Sequence, residues 1–334
     1  AFRATVTKRK MLRDLMLEPL KDIQNLYRAA LLRKKAERGA AAPFFFGRLT
    51  ELKRLSRSHR DFLSGSQYTD LIISGGIGSG KTYLLSHYMR NSGIKGTKVL
   101  ELVCYEAERK IEYRVLSLLI GKMLKALKVD TKDLPESYRQ ILVYFFPFMF
   151  GKGAHDGQSD VKDGNLPFFE LEELLSELFA RLTARAKFVI VIDDIRYCDR
   201  MSFDFIQRVC KYHGRALFFI SCHDSWLKEY LKTFDKNTLR NIDILELKNF
   251  RRDEVEAIAS RRLKDPAPET VDALYKESGG NPLYLFEIIN SLKDNKPVNN
   301  YKFIYLLENR LKTLSSYEQM ALYISSAFFS DIMP

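Results

Sequence analysis

A glycine-rich segment that runs from Gly75 to Thr82 constrains this sequence more than any other feature. It reads GGIGSGKT and matches the pattern G-x-x-x-x-G-K-[ST]. A short apolar stretch from Asp70 to Ser74 precedes it, and a helical pattern from Lys81 to Met89 follows it. Because glycine reaches backbone angles closed to other residues, such a loop turns several N–H groups toward one anion at a helix N-terminus. The segment, called the phosphate loop below, therefore predicts a strand–loop–helix unit that binds phosphate groups.

Apolar runs alternate with helical patterns along the next 170 or so residues, a spacing typical of α/β folds. The uninterrupted apolar run from Phe188 to Ile192 is typical of a strand that is buried on both faces. Further strands are predicted at Lys98 to Cys104, Ala216 to Ser221 and Ile242 to Leu247, and helices at Glu108 to Leu127, Leu171 to Ala184 and Ser202 to Tyr212. This alternation predicts a three-layer α/β fold with a parallel sheet, followed after Phe250 by a wholly helical segment.

Two acidic residues, Asp193 and Asp194, follow the buried strand at Phe188 to Ile192. Ligands of open α/β sheets bind at the carboxyl ends of the strands, so these carboxylates are expected to face the phosphate loop. With the Thr82 hydroxyl, Asp193 is the expected Mg²⁺ partner, and Lys81 is expected to reach the β- and γ-phosphates. Asp194 is expected to polarise the attacking water. The alternative interpretation of the acidic pair is an ordinary surface turn.

Candidate site residues extend beyond this pair. His223 and Asp224 follow the strand at Ala216 to Ser221, and one of them is expected to sense the γ-phosphate, a capped turn being the alternative. The predicted catalytic residues are Asp194, Lys81 and His223. From the sequence pattern of the loop, the predicted nucleotide-binding residues are Gly75, Gly76, Gly78, Ser79, Gly80, Lys81 and Thr82. The metal is expected to be held by Thr82 and Asp193.

Composition limits the surroundings in which the chain works. Its formal net charge is +12, and the first 40 residues hold eleven Lys and Arg against four Asp and Glu. That segment is interpreted either as a solvated basic helix or as a contact for DNA or an acidic partner. The longest apolar run, Ile141 to Phe150, is much shorter than the roughly 20 residues that a bilayer requires, so no membrane segment is expected. Four scattered cysteines favour a reduced, cytoplasmic setting.

Five motifs carry a resemblance to a known family. They are FFFGR followed by Glu51 and Leu52, the phosphate loop itself, LVCYEAE from Leu102, VIDDIRYCD from Val191, and SGGNPLYL from Ser278. Together they resemble the signal-transduction ATPases with numerous domains (STAND), a class of AAA-like P-loop ATPases. The chain is most similar to the ATPase module of large bacterial transcriptional activators and of class III nucleotidyl cyclases.

The resemblance implies ATP with Mg²⁺ as the ligand and assigns two more binding residues. Arg48 is expected beside the adenine and ribose, and Pro282 is expected to pack on the adenine from a helical lid. Many members carry an arginine after the fourth strand, where this chain has Cys222, His223 and Asp224. Slow ATP hydrolysis is therefore expected.

Motifs and composition together predict four segments. Residues 1–42 form a basic helical segment and linker, and residues 43–248 form the P-loop ATPase domain. Residues 249–300 form the helical lid. By the resemblance, residues 301–334 form the truncated start of a winged-helix domain, for which a further lid helix is the alternative.

The main functional hypothesis is an ATP-binding regulatory switch of a multidomain signalling or transcriptional regulator. Its expected partners are effector domains in the same longer chain, with nucleotide-dependent self-association and no membrane. A DNA-acting AAA-type ATPase of the replication-initiator type is the alternative, with DNA contacted through other domains or through the basic N-terminal segment. A small-molecule kinase is a third hypothesis, disfavoured by the long lid and by the lack of an evident acceptor pocket.

Overall fold

The computed structural model describes residues 46–91, 95–145, 168–211, 216–232 and 241–293. The chain divides into two units between Gly47 and Arg48, and every helix and strand below belongs to the second unit. The predicted basic segment at 1–42 and the predicted winged-helix start at 301–334 lie outside the described residues.

Five parallel strands form one sheet, in the order β2-β3-β4-β1-β5. Because all the strands run the same way, their carboxyl ends share one edge of the sheet. This confirms the predicted three-layer α/β fold with a parallel sheet. The strands are β1 (Asp70–Ser74), β2 (Lys98–Val103), β3 (Phe188–Asp193), β4 (Ala216–Cys222) and β5 (Ile242–Glu246).

Ten α-helices are described, of which the last three follow the sheet. They are α1 (Leu49–Ser64), α2 (Lys81–Asn91), α3 (Arg114–Leu127), α4 (Glu136–Phe145), α5 (Phe168–Arg185), α6 (Arg200–Lys211), α7 (Asp224–Tyr230), α8 (Arg252–Arg262), α9 (Pro268–Ser278) and α10 (Pro282–Lys293). Helices α8, α9 and α10 pack on one another and are called the lid below. Helix α1 has no counterpart among the predicted elements.

The core has two apolar layers, one on each face of the sheet. On one face, Ile190 and Phe218 belong to a cluster that includes side chains of α3, α5 and α6. On the other face, Phe219 packs edge-on against Tyr88 of α2, with ring centroids 5.9 Å apart. Successive residues of a strand point to opposite faces, so a strand covered on both sides carries apolar side chains on both of its faces. Strands β1 and β4 accordingly have every residue buried.

The predicted single helix from Glu108 to Leu127 is wrong at its start, because α3 begins only at Arg114. Tyr113 precedes the helix with a left-handed φ of 61°. Buried Asp199 accepts hydrogen bonds from the N–H groups of Tyr113, at 2.7 Å, and of Val115, at 3.1 Å. A carboxylate that follows β3 in the chain therefore caps α3. The local periodicity carries no signal of this long-range contact.

Candidate functional site

The predicted site residues converge at the carboxyl edge of the sheet. Strand β4 lies between β1 and β3, with Ser74 in register with Cys222 and Ile192 in register with Ile220. The phosphate loop leaves β1 at this edge, the acidic pair ends β3 there, and His223 follows β4 there. The strand order therefore brings three separate segments of the chain together.

The geometry of the phosphate loop depends on its glycines. Gly78 and Gly80 have φ values of 78° and 94°, a region that side chains disfavour. A Cβ atom at Gly75 would lie 2.5 Å from Ser79 Oγ, so this position also has no room for one. Helix α2 begins at Lys81 and has no acidic residue in its first turn. Its positive N-terminus is thus not offset by a carboxylate of its own first turn.

Lys81 lies folded against the start of the loop. Its Nζ donates hydrogen bonds to the carbonyl oxygens of Gly75, at 2.7 Å, and Gly76, at 3.0 Å. Burial lowers the pKa of the Lys81 ammonium, and the negative charges of Asp194, Asp224 and Asp193 oppose this effect in part. The only lysine of the loop is therefore held next to a group of carboxylates.

A chain of hydrogen bonds joins α2, β3 and β4 at the acidic strand end. Thr82 Oγ1 donates to Asp193 Oδ2 at 2.8 Å, and Ser221 Oγ donates to Asp193 Oδ1 at 2.5 Å. Ser221 Oγ in turn accepts the N–H of Asp194 at 2.8 Å. Hydroxyl and carboxylate oxygens are the ligands that Mg²⁺ prefers. The structure thus brings together the two residues that the sequence assigned to the metal.

Ser221 is a site residue that sequence reasoning missed. It is fully buried at the end of β4, and it orients both members of the acidic pair. The available signal was a single hydroxyl closing an otherwise apolar strand, ALFFIS. A buried hydroxyl needs a polar partner, and the acidic end of the neighbouring strand supplies one.

Asp194 is held in an unusual conformation. Its φ of 58° is left-handed, which aspartate tolerates better than most residues. Its Oδ2 accepts a hydrogen bond from Arg196 Nη2 at 3.2 Å, Arg196 Nε lies 2.9 Å from Oδ1 as an ion pair, and the guanidinium lies over the ring of Tyr197 at 4.4 Å. The carboxylate assigned to water polarisation is therefore already paired with a cation.

His223 caps the short helix α7. Its Nδ1 accepts the N–H of Ser225 at 3.2 Å and lies 2.8 Å from the Ser225 hydroxyl. The next residue, Asp224, has a buried Oδ1 that accepts no hydrogen bond from the described residues. The capped turn is thus present at this strand end, together with a buried carboxylate oxygen.

Arg48 connects the phosphate loop to the segment before the lid. Its Nη2 donates to the carbonyl oxygen of Lys248 at 2.5 Å and to that of Ser79 at 3.4 Å, and its Nη1 pairs with Glu51 at 3.2 Å. The guanidinium also lies over the ring of Phe250, 4.9 Å from its centroid. Arg48 therefore joins three parts of the chain that are distant in sequence.

The turn that begins α10 lies directly on the phosphate loop. This turn, Gly279 to Leu283, is called the lid turn below and contains Pro282. Asn281 Nδ2 donates to the carbonyl oxygen of Ile77 at 2.8 Å, and the Leu283 N–H donates to that of Gly78 at 3.2 Å. The lid and the loop thus form one hydrogen-bonded arrangement.

The residues present fit a triphosphate with a divalent cation. Ser79 Oγ is buried and finds no hydrogen-bond partner among the described residues, so an acceptor is missing there. A notional Cβ at Gly76 or Gly80 would meet no atom within 4 Å, which leaves space beside the loop backbone. The loop, the ammonium of Lys81 and the oxygens of Thr82 and Asp193 supply what a magnesium–phosphate ligand requires.

Comparison with known proteins agrees with this geometry. A family model described as the AAA ATPase domain matches residues 45–220, which include the phosphate loop and both aspartates of the acidic pair. The chain belongs to the AAA ATPase domain family. The predicted identity as an AAA-like P-loop module is therefore confirmed. No curated protein matches the chain.

Several solved structures resemble this AAA module, all at low sequence identity. A STAND protein with a tetratricopeptide repeat sensor from Pyrococcus horikoshii is 16% identical, with a TM-score of 0.46 over 82% of this chain and 33% of that one. The Aeropyrum pernix ORC1 protein, solved in complex with DNA, is 14% identical, with a TM-score of 0.46 over 84% of this chain and 72% of that one. Cdc6p from Pyrobaculum aerophilum is 13% identical, with a TM-score of 0.49 over 77% of this chain and 65% of that one.

The AAA module thus spans a third of the length of that STAND protein. Within the part of the chain that the structure describes, no helix combines the length and apolar character needed to cross a bilayer.

Proposed function

We propose that this AAA domain is an ATP-binding regulatory switch with slow hydrolysis, part of a multidomain signalling or transcriptional regulator. One observation carries the proposal: the helical lid is hydrogen-bonded to the very loop that would hold the nucleotide. A ligand of the loop therefore acts directly on the position of the lid. The resemblance to STAND ATPases in the five sequence motifs supports the same function.

Each part of the proposed site has a defined task. The phosphate loop and the N-terminus of α2 bind the phosphate oxygens, and Lys81 leaves its carbonyl partners to contact the β- and γ-phosphates. Thr82 and Asp193 hold Mg²⁺, with Ser221 fixing the carboxylate. When bound, the metal neutralises phosphate charge. Arg48 and Pro282 contact the adenosine part of the nucleotide.

The proposed slow turnover follows from the surroundings of the candidate base. Asp194 is paired with Arg196, so its carboxylate is shared between this cation and an attacking water. His223 uses its Nδ1 to cap α7, so only the other ring nitrogen is available to a nucleotide. Weak ATP hydrolase activity is the enzymatic function that these contacts support.

The switch itself rests on a difference between two nucleotides. ATP and Mg²⁺ make contacts to Lys81, Thr82 and Asp193 that ADP makes only in part. A ligand shifts a conformational equilibrium only by its differential affinity for the two states. We propose that this difference sets the lid position, and that the lid then controls effector domains in the same longer chain or self-association of the module. All four cysteines are free and buried, which fits the proposed reduced, cytoplasmic setting.

Calorimetry and hydrogen exchange together test the proposal. Mg·ATP should bind to the wild-type protein, and Lys81→Ala should weaken this binding by about a hundredfold, because a charged contact to phosphate is lost. The matched control is Lys95→Ala, which removes an exposed lysine outside the loop. Mg·ATP and Mg·ADP should give different exchange protection of the lid. Identical protection and identical assembly state with the two nucleotides, with all effector domains present, would end the switch proposal.

A DNA-acting ATPase of the replication-initiator type is the second candidate. The observation that favours it is the net charge of +12, since excess Lys and Arg attract the phosphate backbone of DNA. Stimulation of ATP hydrolysis by duplex DNA, in this chain alone and with a steep dependence on salt, would support this candidate. Hydrolysis that does not respond to DNA would favour the switch.

A further inference from the structure

The lid turn is hydrogen-bonded to two consecutive peptide units of the phosphate loop. The carbonyl oxygen of Ile77 accepts from Asn281 Nδ2 at 2.8 Å, and the carbonyl oxygen of Gly78 accepts from the N–H of Leu283 at 3.2 Å. The next carbonyl oxygen, that of Ser79, lies 3.4 Å from Arg48 Nη2. Three successive carbonyl groups of the loop are thus bound by groups from outside it.

Each of these carbonyl groups shares a rigid plane with an amide of the loop. The peptide unit that carries the Ile77 oxygen also carries the N–H of Gly78, and the unit with the Gly78 oxygen carries the N–H of Ser79. Because a peptide unit is planar, turning its N–H toward an anion must also move its carbonyl oxygen. A phosphate that reorients these amides therefore moves the acceptors to which the lid is bound.

The side chain of Asn281 can respond to this movement because it is hydrogen-bonded both to the loop and to the start of α10. Its amide is both a donor and an acceptor: Nδ2 binds the loop, while Oδ1 accepts the N–H of Leu283 at 3.0 Å and so caps α10. The contact is also close, since a Cβ atom at Gly78 would lie 2.7 Å from Asn281 Oδ1. One side chain thus connects the loop backbone to the first turn of the last lid helix.

The rest of the lid turn is fixed to the segment that leaves β5. The Phe250 N–H donates to the Gly280 carbonyl oxygen at 2.7 Å, and Asn249 Nδ2 donates to that of Gly279 at 3.0 Å. A Cβ atom at Gly280 would lie 2.0 Å from the Phe250 oxygen, so the two backbones are in direct contact. The base of the turn is therefore anchored, and Asn281 supplies the side chain that contacts the phosphate loop, beside the backbone N–H of Leu283.

We propose that Asn281 is the coupling residue of the switch: its side chain transmits the orientation of the Ile77–Gly78 peptide unit to helix α10. It is a positioning residue, and it acts through the phosphate loop rather than on the nucleotide. The inference rests on the proposed function, because it names the contact by which nucleotide binding moves the lid.

Two variants separate the two roles of the Asn281 amide. Asn281→Ala removes both the cap and the donor to Ile77. Asn281→Asp keeps an acceptor for the Leu283 N–H, so the helix cap is retained, but it cannot donate to the Ile77 oxygen. Asn290→Ala is the matched control, because Asn290 is an exposed residue on the same helix.

The measurement is hydrogen exchange of residues 279–293 in the full 334-residue chain, at saturating Mg·ATP and at saturating Mg·ADP. In the wild-type protein and in Asn290→Ala we expect an exchange difference of about tenfold between the nucleotides, the scale of one or two hydrogen bonds. In Asn281→Asp and Asn281→Ala the difference should fall to less than about twofold. Calorimetry confirms that each variant is saturated, and circular dichroism confirms that it is folded.

The outcomes distinguish the two proposals. No difference between the nucleotides in the wild-type protein contradicts the switch itself. A wild-type difference that Asn281→Asp retains in full contradicts the role of Asn281 and leaves the switch intact. If Asn281→Ala does not fold, Asn281→Asp alone decides the question.

Discussion

Replacing Asp70 with asparagine should make the protein more stable at neutral and alkaline pH. Asp70 begins β1, at the sheet edge opposite the site, and is only 3% exposed. Its Oδ1 accepts the N–H of Phe218 at 2.8 Å, and the Cys210 thiol also binds it. Burial raises the pKa of this carboxyl group from 3.8 to about 7, although both hydrogen bonds oppose the rise.

The sign and size of the effect follow from linkage. A carboxyl group whose pKa is higher in the folded protein stabilises the fold at low pH, and this contribution is lost as the pH rises toward the folded-state value. At about 1.4 kcal/mol for each factor of ten, the full loss is about 4 kcal/mol, of which about 3 kcal/mol falls between pH 5 and pH 8. The amide introduced by Asp70→Asn would stay neutral while still accepting from Phe218. The variant should therefore escape this loss.

The assay is urea unfolding at several pH values from 5 to 8, followed by the fluorescence of Trp226, the only tryptophan in the chain. Trp226 stacks on Tyr230 with ring centroids 4.2 Å apart, so unfolding changes its surroundings. Asp133→Asn, which alters an exposed aspartate, is the control. The reasoning is refuted if the stability difference between Asp70→Asn and wild type is the same at pH 5 and pH 8.

Three further predictions concern the site and its support. Asp194→Asn should slow ATP hydrolysis at least tenfold while changing ATP affinity less, because the residue acts on the water; equal losses in turnover and affinity would contradict this role. Ser221→Ala should weaken nucleotide binding about tenfold in the presence of Mg²⁺ and hardly at all without it, as calorimetry would show, because it frees the metal-side carboxylate. His59 is buried between the Tyr88 and Thr97 hydroxyls, at 3.1 and 3.0 Å, and burial lowers its pKa. Because the unfolded chain then binds the proton more readily, wild type should lose stability relative to His59→Gln as the pH falls below about 6.5, by up to about 1.4 kcal/mol per pH unit. Thermal-unfolding midpoints of the two proteins that change in parallel with pH would disprove this.

Much of the fold and the centre of the site could be predicted because their signals are local. The phosphate loop is recognisable from its glycine positions, and a strand covered on both faces is rich in apolar residues, as Phe188 to Ile192 is. The acidic pair is recognisable because it directly follows that strand in the sequence. Local patterns did not predict the late start of α3, because Asp199, which caps this helix, is 86 residues away in sequence.

The sequence by itself determined the parallel α/β class, the phosphate loop and the carboxylates that accompany it, because backbone preference and burial act on neighbouring residues. Only the tertiary structure decided that β4 separates β1 from β3, and so that Ser221 would hold Asp193. It also decided that Asn281 would reach a loop carbonyl 204 residues away. Such contacts depend on how complete elements pack, and a one-dimensional pattern does not record which polar groups packing brings within hydrogen-bonding distance.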